Sequence, residues 1–130
     1  MVGTVGFDLE LLEIFKRHGI SYILKATNAN SITHVVWEKS VTSAFVEELE
    51  NRYAVVTALP AAVVCVIGSN IAIPGVLTRA AQVLADNKIN VNCMSQSYRQ
   101  VNMQFVIDRA AYKKAIAALN QALCLGGKKA

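Results

Sequence analysis

Three pairs of landmarks recur along this chain at one and the same separation: Gly6 and Gly75, Ile20 and Ile89, and Ile32 and Val101. A constant offset that runs through a helix, a strand and a second strand without a gap marks two copies of one supersecondary unit. The chain is thereby restricted to folds built from a small duplicated module.

The first copy opens with GFDLELLEIFKRHG, where Phe7, Leu11, Ile14 and Phe15 fall at helical spacing and Asp8, Glu10, Glu13, Lys16 and Arg17 take the outer face. Acidic residues come early and basic ones late, as the helix dipole favours, and Gly19 suits a left-handed stop. In the second copy Pro74 fits the first helical turn, Leu77, Ala80, Ala81 and Leu84 are expected to form the inner stripe, and Asn87 the stop. Each helix leads into an extended run, ISYILKAT and INVNCMSQ, and then into an alternating one. The alternating runs place Ile32, His34 and Val36 on one face, and Val101, Met103, Phe105 and Ile107 on one face.

A further helix follows each pair of strands. SVTSAFVEELENR sets Phe45 and Leu49 four apart, and DRAAYKKAIAALNQAL is expected to start on Asp108 as N-cap and to turn Tyr112, Ile116, Leu119 and Leu123 inward. Between the copies lie two strand-like runs, YAVVTAL and AAVVCVIG, the second apolar throughout like a central strand. The predicted class is therefore α+β, with two ferredoxin-like β-α-β-β-α-β units in tandem, the first lacking its opening strand. The expected boundaries are 1–53 for the first unit, 54–125 for the second and 126–130 for a flexible tail.

Composition narrows the function. Of the net charge of +4, Lys128 and Lys129 of the tail account for half, and the remainder is too small to point to nucleic acid or an anionic membrane. No apolar run approaches the roughly 20 residues of a membrane span and no signal peptide opens the chain, so a cytoplasmic location is expected. Cys65, Cys93 and Cys124 are odd in number and far apart, with Cys65 expected as a small buried hydrophobe, and His18 and His34 have no metal-ligand spacing. The phosphate-cradle, dinucleotide and nucleophile-elbow motifs are all missing, GSNIAIPG lacking the lysine a phosphate cradle uses. Neither catalytic residues nor a metal site are assigned.

A binding site fits better. At a strand-to-helix turn the first helical amides are unpaired and, with the dipole, suit a carboxylate. Ser21 in the first copy and Asn90 in the second stand at the start of the next strand, where a side-chain oxygen accepts from an ammonium group. Such a pair describes a free amino acid. The plainer alternative is that Pro74 and Gly75 only shape a turn while Asn90 and Asn92 occupy a solvated strand face.

The runs MVGTVGFDLELLEIFKRHGISYILKATNANSITHVV and VVCVIGSNIAIPGVLTRAAQVLADNKINVNCMSQSYRQVNMQFVI resemble the first and second ACT domains of aspartate kinases, most closely the lysine-sensitive type. In that family a kinase domain phosphorylates the side-chain carboxylate of aspartate with ATP, giving 4-phospho-L-aspartate at the head of lysine, threonine and methionine biosynthesis. The tandem ACT region mediates feedback inhibition and dimerisation. The resemblance implies a regulatory fragment with lysine or threonine as effector, a homodimer formed through ACT domains and a kinase domain elsewhere in the parent enzyme. It implies no cofactor in this fragment, ATP and Mg belonging to that kinase domain.

Carried over from the resemblance, effector contacts fall on Met1, Thr4, Gly6, Phe7 and Asp8 at the helix turn and on Ser21, Tyr22, Ile23, Asn28 and Ala29 of a facing strand. Ile73, Pro74, Gly75 and Asn90 are the lower-ranked equivalents in the second copy. The family has an acidic residue where Ile23 stands and Thr-Ser-Glu where Thr27, Asn28 and Ala29 stand. Losing a carboxylate partner weakens an ammonium contact by roughly 1.5 to 3 kcal/mol, about ten- to a hundredfold in affinity. Asp8 either supplies a replacement charge or is only an acidic residue favoured by the dipole. Two other readings stay open. One is a structural dimerisation module without ligand; the other is an RNA-binding ferredoxin-like domain, for which VNMQFVI offers only the aromatic Phe105.

Overall fold

Both predicted helix starts rest on a glycine that no other residue replaces without strain. Gly6 adopts φ 78° and Gly75 φ 95°, both left-handed, and each N-caps the helix that follows it. The computed structural model describes residues 4–68, 74–97 and 102–125, with side chains through Leu123. Two compact units result, Met1–Leu59 and Pro60–Ala130.

The first unit contains α1 (Phe7–Arg17), β1 (Tyr22–Thr27), β2 (Ile32–Val36) and α2 (Ser43–Arg52). Its core is Leu11, Ile14, Phe15, Ile20 and Phe45, with Ile32, Val36, Leu49 and Tyr53 packed around it. Leu11, Ile14 and Phe15 of the predicted inner face of α1 lie in that core, whereas Asp8, expected on the outer face, turns to Lys25 of β1. Gly19, at φ 67°, ends the helix as expected, donating its amide to Lys16 while the Ile20 amide donates to Phe15. The Thr42 hydroxyl caps α2 by accepting from the Phe45 amide at 3.2 Å.

β1 and β2 pair antiparallel, with Lys25 opposite His34 and Tyr22 opposite Val36, and the register shifts between Tyr22 and Leu24. That irregularity matters. Without it, strict alternation would put Lys25 on the face opposite Tyr22; with it, Lys25 shares the α1-facing side with Tyr22, His34 and Val36.

The second unit contains β3 (Ala61–Ile67), α3 (Val76–Asp86), β4 (Cys93–Ser95), β5 (Asn102–Asp108) and α4 (Tyr112–Leu119), the last continued by a π-helical turn at Asn120–Leu125. Its sheet is antiparallel in the order β3-β5-β4, and Val64, Met103, Phe105 and Ile107 meet Ala80, Leu84, Ala115 and Leu119 in the core. This is the ferredoxin-like α+β arrangement expected of the repeat, with helices against one face of the sheet.

Several local expectations are corrected. YAVVTAL forms no strand: Val55 is 86% and Leu59 78% exposed, and the run has no partner strand among the described residues. No strand follows α4 among them either. AAVVCVIG forms β3, but β5 is the central strand, and the buried face of β3 carries Ala62, Val64 and Val66, leaving Cys65 exposed on the other. Pro74 lies in the turn before Gly75 rather than inside the helix.

The stripe of α3 is Val76, Ala80, Val83 and Leu84, with Leu77 and Ala81 exposed. In α4 and the turns at its two ends, Ala111, Ala115, Leu119 and Leu123 turn inward while Tyr112 and Ile116 do not. Close approach of helix to sheet selects small residues there, so Ala111 and Ala115 take the inner positions that hydropathy assigned to Tyr112 and Ile116. Asp108 precedes a 3-10 turn at Arg109–Ala111 and caps nothing with its side chain; its carboxylate accepts from Asn92 at 3.0 Å. The positive φ after α3 falls on Lys88, while the Asn87 side-chain amide donates to the Val83 carbonyl at 2.8 Å.

Candidate functional site

The start of α1 is held by three side-chain contacts from its first turn. Phe7 packs against Tyr53 in a tilted arrangement with ring centroids 5.1 Å apart, Asp8 pairs with Lys25 of β1, and Glu10 accepts from Arg52 at 2.7 Å. Among the described residues no side chain caps the helix, and Gly6 has none to offer. The result is a fixed helix terminus carrying the amides and positive dipole end that suit an anion.

Beneath it, the face of the sheet is polar where a core is usually apolar. His34 lies between Phe15 and Tyr22, with centroids at 4.7 and 5.2 Å, and Lys25 stands opposite it on β1. Burial, and then the Lys25 charge, holds the His34 imidazole below its usual value of 6.5, against the opposing pull of Asp8. Asp8 Oδ1, His34 Nε2 and Tyr53 Oη are shielded from solvent and have no hydrogen-bond partner among the described residues. Burial also raises the Tyr53 hydroxyl above its usual value.

The residues carried over from the resemblance divide into two groups within one chain. Thr4, Gly6, Phe7 and Asp8 gather at the N-terminal end of α1. Ser21 and Tyr22 lie at its other end, with Leu12, Phe15 and Ile20 in an open groove of about 470 Å³. An 11-residue helix separates the two ends by about 16 Å. Ile23 sits at the register shift. The Asn28 side chain closes the β1–β2 turn, accepting from the amides of Asn30 and Ser31 at 2.8 and 3.1 Å, and Ala29 is exposed beside it. Met1 and Ile73 lie outside the described residues.

In the second unit Pro74 and Gly75 are exposed at the start of α3, which no side chain among the described residues caps. Asn90 donates to Asn92 Oδ1 at 2.9 Å, and Asn92 in turn donates to Asp108. These three link the segment before β4, where Asn90 lies rather than at the start of the strand, to the end of β5. Among the described residues, no group of three or more His, Cys, Asp and Glu side chains is placed to hold a metal ion, and no helix is long and apolar enough to cross a membrane.

Lys25, His34 and Tyr53 carry no binding role by motif or spacing. A signal existed for Lys25 and His34, since each is polar where the equivalent position of the second copy has a methionine. What could not be read from SYILKATN was the β1 irregularity that turns Lys25 inward.

Residues 64–123 match the sequence model of the ACT domain. Over 126 residues, 95% of this chain, the sequence is 34% identical to an aspartate kinase of Stutzerimonas stutzeri (strain A1501), of which the match covers 26%. The chain spans about a quarter of the length of the curated relatives it matches. Its fold is similar to that of an aspartate kinase of Clostridium acetobutylicum, with TM-score 0.82 and 18% identity over 92% of this chain and 30% of that one. It is similar as well to the ligand-free regulatory subunit of aspartate kinase from Thermus thermophilus, with TM-score 0.78 and 19% identity over 93% of this chain and 84% of that one.

Proposed function

We propose that this chain, whose second unit is an ACT domain, is the amino-acid-sensing regulatory region of an aspartate kinase. In the parent enzyme it biases a kinase domain that phosphorylates L-aspartate with ATP and Mg, and it dimerises through its ACT units. The observation that carries this reading is the start of α1: a left-handed glycine, no side-chain cap among the described residues and a first turn anchored by three contacts. A ligand carboxylate there accepts from backbone amides with little reorganisation. The two groups of candidate contacts, at opposite ends of α1, are brought together when the α1 turn of one subunit meets the β1 edge of another.

Regulation requires only that the effector prefer one arrangement of the paired units. A coupling of about 1 to 3 kcal/mol between effector and kinase states suffices. Calorimetric titration of the chain with L-lysine, L-threonine and L-methionine is expected to show saturable heat for at least one of them. Silence for all three, on a folded dimer, overturns the sensing role.

A second reading, a dimerisation module without ligand, is favoured by one observation: the Asn28 side chain is engaged in its own turn. It predicts dimers by sedimentation whose melting temperature is unchanged by every amino acid, whereas a bound effector raises it.

A further inference from the structure

The two copies differ most where α1 meets the sheet. The repeat offset takes Asp8 to Leu77, Lys25 to Met94 and His34 to Met103. Met103 belongs to the apolar core of the second unit and Met94 packs against it. The fold is therefore built once with apolar residues at all three positions, so it does not need the charges that the first copy puts there.

Lys25 reaches the α1-facing side of the sheet through the register shift in β1, and its ammonium group pairs with Asp8 Oδ2. Its side chain is 19% exposed. Among the described residues assigned above to the effector site of the first unit, Asp8 is the sole carboxylate, and its other oxygen is shielded from solvent.

We propose that Lys25 determines specificity: its ammonium group occupies the cation position beside Asp8, so that the site admits an amino acid with an uncharged side chain and rejects one with a basic side chain. This rests on the effector reading above. An incoming α-carboxylate meets the amides of α1 and the charge of Lys25, both favourable. A basic side chain meets the like charge of Lys25 and finds the carboxylate already paired, and a like charge placed against the wrong ligand is an effective means of discrimination.

The test is calorimetric titration of the whole chain with L-threonine, L-methionine and L-lysine, repeated on Lys25→Met, which installs the second copy's residue. The expected result is that threonine or methionine binds at least tenfold more tightly than lysine, and that Lys25→Met narrows this ratio to threefold or less by improving lysine binding. Asp8→Asn, which leaves the Lys25 charge unpaired, is expected to weaken lysine further and to bring in L-aspartate; it decides the matter if Lys25→Met does not fold. Lysine binding as tightly as the neutral amino acids, or a selectivity ratio unmoved by the variant that folds, overturns the role of Lys25 and leaves amino-acid sensing intact. Absence of heat for every amino acid overturns the sensing reading, and this inference with it.

Discussion

The two units apply one backbone plan to different chemistries. Each opens its first helix on a left-handed glycine, and each places the next strand pair beneath that helix. In the second unit the space between helix and sheet is filled by Leu84, Met103, Phe105 and Ile107. In the first, the corresponding layer packs aromatic rings around His34 and sets the Lys25–Asp8 pair beside it. A duplicated fold can keep one copy as a packed scaffold and leave the other free to carry partly buried polar groups, whose desolvation cost the apolar copy avoids.

The severest test of the comparison is to empty equivalent core positions. Phe15 and Leu84 are related by the repeat offset, and both are buried. Phe15→Ala removes ring contacts to His34 and Phe45, and is expected to cost about 3 to 5 kcal/mol; Leu84→Ala is expected to cost about 2 to 5 kcal/mol, both read from denaturant melts. A loss below about 1 kcal/mol at either site would show that its layer is loosely packed.

The turns come next in size. Among the described residues, the two chain neighbours aside, no heavy atom lies within 4 Å of a Cβ built on Gly6 or Gly75, so Gly6→Ala and Gly75→Ala report backbone strain. Each is expected to cost about 1 to 2 kcal/mol, and by similar amounts, on thermal melting. Unequal values would break the equivalence of the two helix starts.

Exchanging chemistry between the copies is expected to change stability less. The triple variant Asp8→Leu, Lys25→Met, His34→Met gives the first unit the second unit's residues. Replacing a partly buried ion pair by apolar groups is expected to be neutral or to stabilise by about 1 kcal/mol, a modest gain because Asp8 is 47% exposed. Chemical denaturation measures the stability and calorimetry the response to amino acids, which is expected to lose its discrimination against lysine. A destabilisation above about 2 kcal/mol, well outside what an exposed or half-exposed ion pair contributes, would mean that the charges hold the fold together.

The smallest effect is one of pH. Because the His34 value in the folded chain lies below 6.5, the unfolded chain takes up this proton first as pH falls. The contribution of neutral His34 to stability is complete above about pH 6.5 and declines as pH drops from there toward the lower folded value. Melting temperature is therefore expected to fall between pH 7.5 and 5.5, and less so in His34→Met. An identical pH profile in the variant would remove His34 from this account.

Much of this was legible in the sequence. The constant repeat offset located both helices and the inner face of α1, because a continuous apolar stripe has one way to face a sheet. The inner faces of α3 and α4 were legible only in part. Ala80, Leu84, Leu119 and Leu123 face inward as expected, whereas Leu77, Tyr112 and Ile116 are exposed and Ala115 takes a core position, since contact distance rather than apolarity decides which side of a mixed helix fits. YAVVTAL illustrates the other failure: strand propensity becomes a strand only where a partner edge supplies hydrogen bonds.

By itself the sequence determined the duplication, the α+β class and the two glycine turns, because periodicity and positive φ are local properties of the chain. Only the tertiary structure decided that Lys25 faces α1 and pairs with Asp8. A single register irregularity in β1 sends every later side chain to the opposite face, and no local preference of the residues around Ile23 announces it.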